Sequence, residues 1–157
     1  MRSAVHEVIL DKTIYFNPED SKSNVRIPFS LKKDYKSLEF FCSYEPKKCE
    51  DKEKAKELVL KGIETYIPAE YRKLADSLDN YINTVVNLVT LSLDAPDQYL
   101  GCAHRHAPQQ HHIISAEFSS PGFFLYSPSA GDWQVLINVH AVVSPVVRYH
   151  LQIFAAL

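Results

Sequence analysis

The segment from Trp133 to Ala141 restricts the fold more than any other stretch of the chain. Trp133, Val135, Ile137, Val139 and Ala141 alternate with Gln134, Leu136, Asn138 and His140. In an extended backbone that pattern makes one face wholly apolar and the other mixed, as a half-buried antiparallel strand requires. Upstream, Pro121-Gly122 and Pro128-Ser-Ala-Gly131 carry turn chemistry, Pro by fixing φ and Gly by admitting a positive one. The short apolar run Phe123 to Tyr126 lies between them, so the spacing predicts a hairpin over 121–138. The pattern specifies a fold class and leaves the chemistry open.

Other segments repeat the two-residue period. Val5 to Leu10 and Thr13 to Phe16 are β-prone runs, followed by the polar turn region Asn17 to Ser23. Val25, Ile27 and Phe29 alternate with Arg26, Pro28 and Ser30. Pro28 cannot donate to a ladder, which predicts an edge strand or a bulge there. Leu38, Phe40 and Cys42 share one side of a strand over 37–44, opposite Glu39, Phe41 and Ser43.

The period then changes. Ala55, Leu58, Val59, Gly62, Ile63 and Tyr66 mark one side of a helix, and Glu50 with Lys54 and Glu57 with Lys61 are favourable i,i+4 pairs. Pro68 interrupts this helix, and Tyr71, Leu74, Ala75, Leu78 and Tyr81 resume its spacing. The expectation is a helical segment over about 50–80 covering one face or end of a sheet, with a partner-docking helix as the alternative. After it, strands are predicted over 84–93, 99–106, 112–118, 123–126, 133–142 and 146–154. The fold expected is mainly β: an antiparallel sandwich or jelly roll, one domain over 1–157, with an inserted helical segment.

At 157 residues a single core suffices, since a domain of this size buries roughly 68–70% of its unfolded surface. A formal charge of −2 without a dense Lys/Arg stripe makes nucleic acid a poor partner. Three cysteines, Cys42, Cys49 and Cys102, form no CxxC and leave an odd thiol, the usage of a reducing compartment. A Cys42–Cys49 bridge is left open by the spacing. The first residues lack the apolar core of a signal peptide, and no run reaches the ~20 apolar residues of a membrane span. The expectation is a cytoplasmic protein with no membrane partner; oligomeric state is not encoded legibly.

Three stretches together carry a likeness. Leu91-Ser-Leu-Asp-Ala-Pro-Asp-Gln-Tyr-Leu-Gly101, Ile114-Ser-Ala-Glu-Phe-Ser-Ser-Pro-Gly122 and Pro128-Ser-Ala-Gly-Asp-Trp-Gln-Val-Leu-Ile-Asn138 agree in order and spacing over roughly the C-terminal half. They resemble the β-rich domain that precedes the catalytic domain in some bacterial metal-dependent phosphoesterases of the polymerase-and-histidinol-phosphatase (PHP) class. Arg26 to Tyr44 is similar to an early part of that domain. In the family this domain does not hold the metal, so the resemblance implies a non-catalytic accessory or binding module with a protein partner or a small polar ligand. Two departures matter. Cys102-Ala-His-Arg-His106 replaces a small Trp- and Gly-containing segment, and no phosphoesterase domain follows in the sequence, which implies a stand-alone relative or a separate role.

Histidine is the one compositional oddity. Of seven, His104, His106, His111 and His112 lie close together. On a strand over 99–106, His104 and His106 would project to one side, the spacing by which two imidazoles of one strand meet a metal. His140 would add a third ligand from a neighbouring strand, with His111 where a cupin places its glutamate. The alternative function is therefore a cupin-like enzyme whose transition metal, such as zinc, is held by His104, His106, His111 and His140. The bland reading is a polar loop over 107–112, with His150 facing solvent and His6 carrying no signal. No Gly-x-Ser-x-Gly elbow or glycine-rich phosphate loop is present, and Ser127 and Ser129 beside prolines read as turn residues. Asp94 and Asp97 suit an Asx-type turn better than a cation site. Tyr99, Phe124 and Tyr126 could form a carbohydrate or peptide platform, with core packing as the stronger reading.

Overall fold

A computed structural model describes residues 5–74 and 79–157. The strands are β1 (His6–Phe16), β2 (Ser23–Leu31), β3 (Ser37–Glu45), β4 (Leu88–Asp94), β5 (Tyr99–Ala103), β6 (Gln109–Ser115), β7 (Gly131–Ala141) and β8 (Val147–Ala156). Between β3 and β4 come helix α1 (Lys52–Tyr66), a 3-10 turn (Ala69–Leu74) and the single-turn α2 (Asp79–Ile82). All ladders are antiparallel, in a first sheet ordered β1-β8-β3-β6 and a second ordered β2-β7-β4-β5.

The pairings are nested. β1 meets β8, β2 meets β7, β3 meets β6 and β4 meets β5, and β3–β8 and β4–β7 complete the two sheets. That is a long hairpin rolled into two layers, the jelly-roll form of the sandwich. The inner faces are the ones the alternation predicts. Trp133, Val135, Ile137 and Val139 of β7 are buried, as are Tyr149, Leu151 and Ile153 of β8 and Leu38, Phe40 and Cys42 of β3. Phe29 stacks on Trp133 within its own sheet at 5.9 Å and reaches Phe40 of the other at 6.3 Å, so aromatic contacts join the layers. β2 is an edge strand, which explains the tolerance of Pro28.

The expected hairpin over 121–138 does not form. β7 has β2 and β4 as its neighbours, and Phe123–Tyr126 runs along the open side of the sandwich. There the Phe124 amide donates to the Leu100 carbonyl at 2.8 Å, and the Tyr126 amide to Ser115 at 3.0 Å, joining edge strand β5 to edge strand β6. This segment covers two exposed edges at once. The approach is close: a Cβ on Gly101 would stand 2.0 Å from the Gly122 carbonyl oxygen.

Boundaries shift for local reasons. The two runs near the N-terminus are one strand with an irregularity between Val8 and Leu10. β4 starts at Leu88, not near Thr84, because fully buried Asn87 holds the chain in a loop: its amide oxygen accepts from the Val143 and Ser144 amides at 2.7 and 3.2 Å. β5 stops at Ala103, and β6 begins at Gln109 and ends at Ser115, whose hydroxyl accepts from the Phe118 amide and turns the chain. The helical segment lies where expected, but only Ala55 of α1 is buried and Tyr66 is 80% exposed. Ala75, Leu78 and the Leu74 side chain of the second helical stripe lie outside the described residues. Cys42, Cys49 and Cys102 are free thiols, and burial pushes that of Cys42 up to about 11. Among the described residues no helix is long and apolar enough to cross a membrane.

Candidate functional site

The four histidines proposed as ligands are divided between the two layers. Because β5 ends at Ala103, His104 and His106 sit on the β5–β6 connection, and the same-side argument for a strand does not apply to them. His104 lies 4.9 Å from His140, ring centre to ring centre and nearly perpendicular, and 6.4 Å from His106. His140 shares a 2.8 Å hydrogen bond with Thr90 Oγ1; burial, then the charge of His104, lower its pKa. His111 stands elsewhere. On β6 it alternates with fully buried His112, so it occupies the outer face of the first sheet, whereas His140 is on the outer face of the second. Among the described residues no three His, Cys, Asp or Glu side chains are grouped to hold a metal ion.

The outer face of the first sheet gathers residues that lie far apart along the chain. The registers align Asp11, Gln152, Phe41 and His111 in one row across all four strands. Thr13, His150, Ser43 and Gln109 form the adjoining row on one side, and Val8, Phe154, Glu39 and Ile113 the row on the other. Alternation sends every member of these rows to the same surface.

Each histidine of these rows is held by a carboxylate. His111 Nε2 lies 2.7 Å from Glu39 Oε2, and its ring stacks on Phe41 at 4.1 Å with 8° between planes. Phe41 meets Phe154 edge-on at 5.6 Å. His6 Nδ1 approaches the other oxygen of Glu39 at 3.8 Å. On β1, Asp11 takes His150 Nε2 at 2.6 Å and the Gln152 amide at 2.9 Å, and these bonds, His150 first, lower its pKa. Two adjoining depressions of about 380 and 410 Å³ share Phe41 and Gln152. With Nε2 bonded to a carboxylate, a neutral imidazole keeps Nδ1 as an acceptor for a ligand. The face therefore offers fixed acceptors and aromatic edges instead of a nucleophile.

Of the remaining candidates Asp94, Asp97, Tyr126 and Ser129 are structural, whereas the core packing expected of Tyr99 and Phe124 is not found. Asp97 accepts from the Tyr126 hydroxyl at 2.6 Å, Asp94 from the Gln134 amide at 3.3 Å, and an Ala95–Gln98 backbone bond closes the turn between them. Tyr126 packs edge-on against Trp133 at 5.4 Å, while Tyr99 and Phe124 are exposed. The Ser129 carbonyl accepts from the Trp133 indole, which fixes the turn before β7. Sequence reasoning missed Glu39, Asp11, Phe41 and Gln152 because the His111–Glu39 and His150–Asp11 partners are 72 and 139 residues apart. The one local signal was a set of aromatic and planar polar residues at outward positions of β3 and β8.

No family model matches this chain, and no curated protein matches it. Among solved structures, a protein of Sulfurospirillum deleyianum known from its crystal structure aligns over 90% of this chain and 96% of its own, with a TM-score of 0.32 and 12% identity.

Proposed function

We propose that this protein is a non-catalytic binding module that takes a small, neutral, hydroxyl-bearing ligand on the outer face of its first sheet. The observation that carries the reading is the row Asp11, Gln152, Phe41, His111 with its flanking histidine–carboxylate pairs. The three rows contain no Lys or Arg to attract an anion, and each carboxylate already has imidazole or amide partners, so a strong cation is not called for. A saccharide or polyol supplies what the groove lacks: hydroxyl hydrogens for Nδ1 and amide oxygens, and C–H surface for the Phe41 and Phe154 rings. Titrating a panel of mono- and disaccharides while following the backbone amides of residues 39–43 and 109–113 tests this. Binding abolished by Phe41→Ala supports it; hydrolase activity in the metal-loaded chain, or no response to the panel, removes it.

A role beside a separately encoded PHP-class phosphoesterase rests on the sequence resemblance, and co-purification from cell extract tests it. The metal-enzyme reading is favoured by one observation, the 4.9 Å approach of His104 to His140. A zinc titration that leaves the imidazole signals of His104, His106 and His140 unmoved removes that alternative.

A further inference from the structure

A second, larger concavity lies away from the sheet face. It is a cleft of about 780 Å³ where the β1–β2, β3–α1 and β7–β8 connections meet. Its walls are fixed from behind. Asn87, fully buried, donates to the Pro46 carbonyl at 2.9 Å and to the Ser144 hydroxyl at 2.8 Å, besides accepting from the Val143 and Ser144 amides. One side chain thus binds both the β3–α1 and the β7–β8 connections. A site whose walls are held by buried hydrogen bonds loses little freedom when occupied.

The lining divides into an apolar surface and a charged lip. Pro46, Val143, Pro145 and Val146 supply the surface, and Val146 is 54% exposed. Three carboxylates, Glu45, Glu50 and Asp51, face one ammonium, Lys54. Asp51 is committed to capping α1 through the Lys54 amide at 3.0 Å, and the Lys54 ammonium is paired with Glu57 at 3.4 Å. Glu45 and Glu50 make no ion pair among the described residues. Arg148 stands opposite Glu45 in the β3–β8 register without forming one.

We propose that this cleft docks an extended lysine- or arginine-bearing segment of a partner protein. The long aliphatic stem of such a residue lies on the Pro and Val surface while its cationic head reaches Glu45 and Glu50, the division that these side chains favour at any boundary between apolar and wet surface. Size selects a peptide over a free amine. Clefts of roughly 300–1,000 Å³ enclose a whole drug-sized ligand, so one ammonium-bearing chain leaves much of this one empty, and several residues of extended chain fill it. The cleft and the sheet-face groove share no lining side chain, so this inference stands independently of the saccharide reading.

The test uses the full chain and the peptide acetyl-Gly-Lys-Pro-Lys-Gly-amide, followed by backbone amide shifts and fluorescence anisotropy of a labelled form. The expected result is movement of the amides of residues 47–51 and of Val143, Ser144 and Val146, with binding weakened by added salt. Glu45→Gln with Glu50→Gln, both exposed positions, should weaken binding about fivefold or more with an unchanged melting temperature. The proposal is overturned by shifts confined to other residues or by none, by unchanged affinity in the double variant, by equal binding of the same peptide carrying Glu for Lys, or by spermidine binding as tightly as the peptide.

Discussion

His112 shows what one residue contributes in this fold. It is fully buried; Nε2 pairs with Gln110 Oε1 at 2.8 Å, Nδ1 has no partner among the described residues, and the ring packs 5.3 Å from Phe123. Burial above all, then the charges of Arg105 and His111, push its pKa down to about 4 from the ordinary 6.5. Between those values the unfolded chain binds a proton that the native state refuses. Stability is therefore complete above about pH 6.5 and declines as pH falls toward 4, by up to about 3 kcal/mol. Urea unfolding at pH 7 and pH 4.5 checks this, and His112→Phe should flatten the difference. Gly101 is the second such residue. Its φ is +128°, and the close carbonyl of Gly122 leaves no room for a methyl group. Gly101→Ala should cost about 3 kcal/mol, read from the denaturation midpoint, by forcing the 118–126 segment off the strand edges. Phe41→Ala is the contrasting case: on the outer face and 38% exposed, Phe41 should leave stability nearly unchanged when truncated while its loss removes the ligand response.

At the scale of elements, the helical segment is separable from the sandwich. Lys48 bridges to Val86, and the Cys49 amide donates to Val85 at 3.0 Å, so the chain leaves and re-enters through one narrow stem. Beyond that stem α1 has one buried residue, and its principal partner among the described elements is α2. Replacing 52–82 by Gly-Gly-Ser-Gly should remove helical circular dichroism at 222 nm and leave Trp133 fluorescence at its buried maximum. Loss of the folded signal would show that the segment is part of the core. Asp51→Ala, which deletes the cap of α1, should cost that helix about 1 kcal/mol, seen as faster amide exchange over 52–66 while β7 and β8 stay protected. The strand pattern at this scale was legible because alternation is a local property. The hairpin over 121–138 was not, since turn chemistry at Pro128–Gly131 reports a change of direction and says nothing about which strand comes to lie alongside.

For the whole molecule, nested pairing makes the fold a matter of long-range closure. His6 lies opposite Ala156, so the first and last strands must meet before the first sheet is complete. β8 lies between β1 and β3 and supplies fully buried Leu151 and Ile153. Ile153→Ala should destabilise the protein by about 2–5 kcal/mol, and the two sheets should unfold together, with Trp133 fluorescence and far-ultraviolet circular dichroism giving coincident transitions. Folding should take milliseconds to seconds, as topologies rich in distant contacts do; stopped-flow refolding measures it.

The amino-acid order alone determined the face each side chain takes: Trp133, Val135 and Ile137 inward, Gln134 and Asn138 outward. It did so because a strand reverses its side chains every residue whatever lies beside it. Only the tertiary structure decided who meets whom. It placed His111 with Glu39 and His150 with Asp11, parted His111 from His140 by the thickness of the sandwich, and drew three distant loops into one cleft around Asn87. Those pairings follow from closing all eight strands around a shared core, a condition that no local stretch of sequence can express.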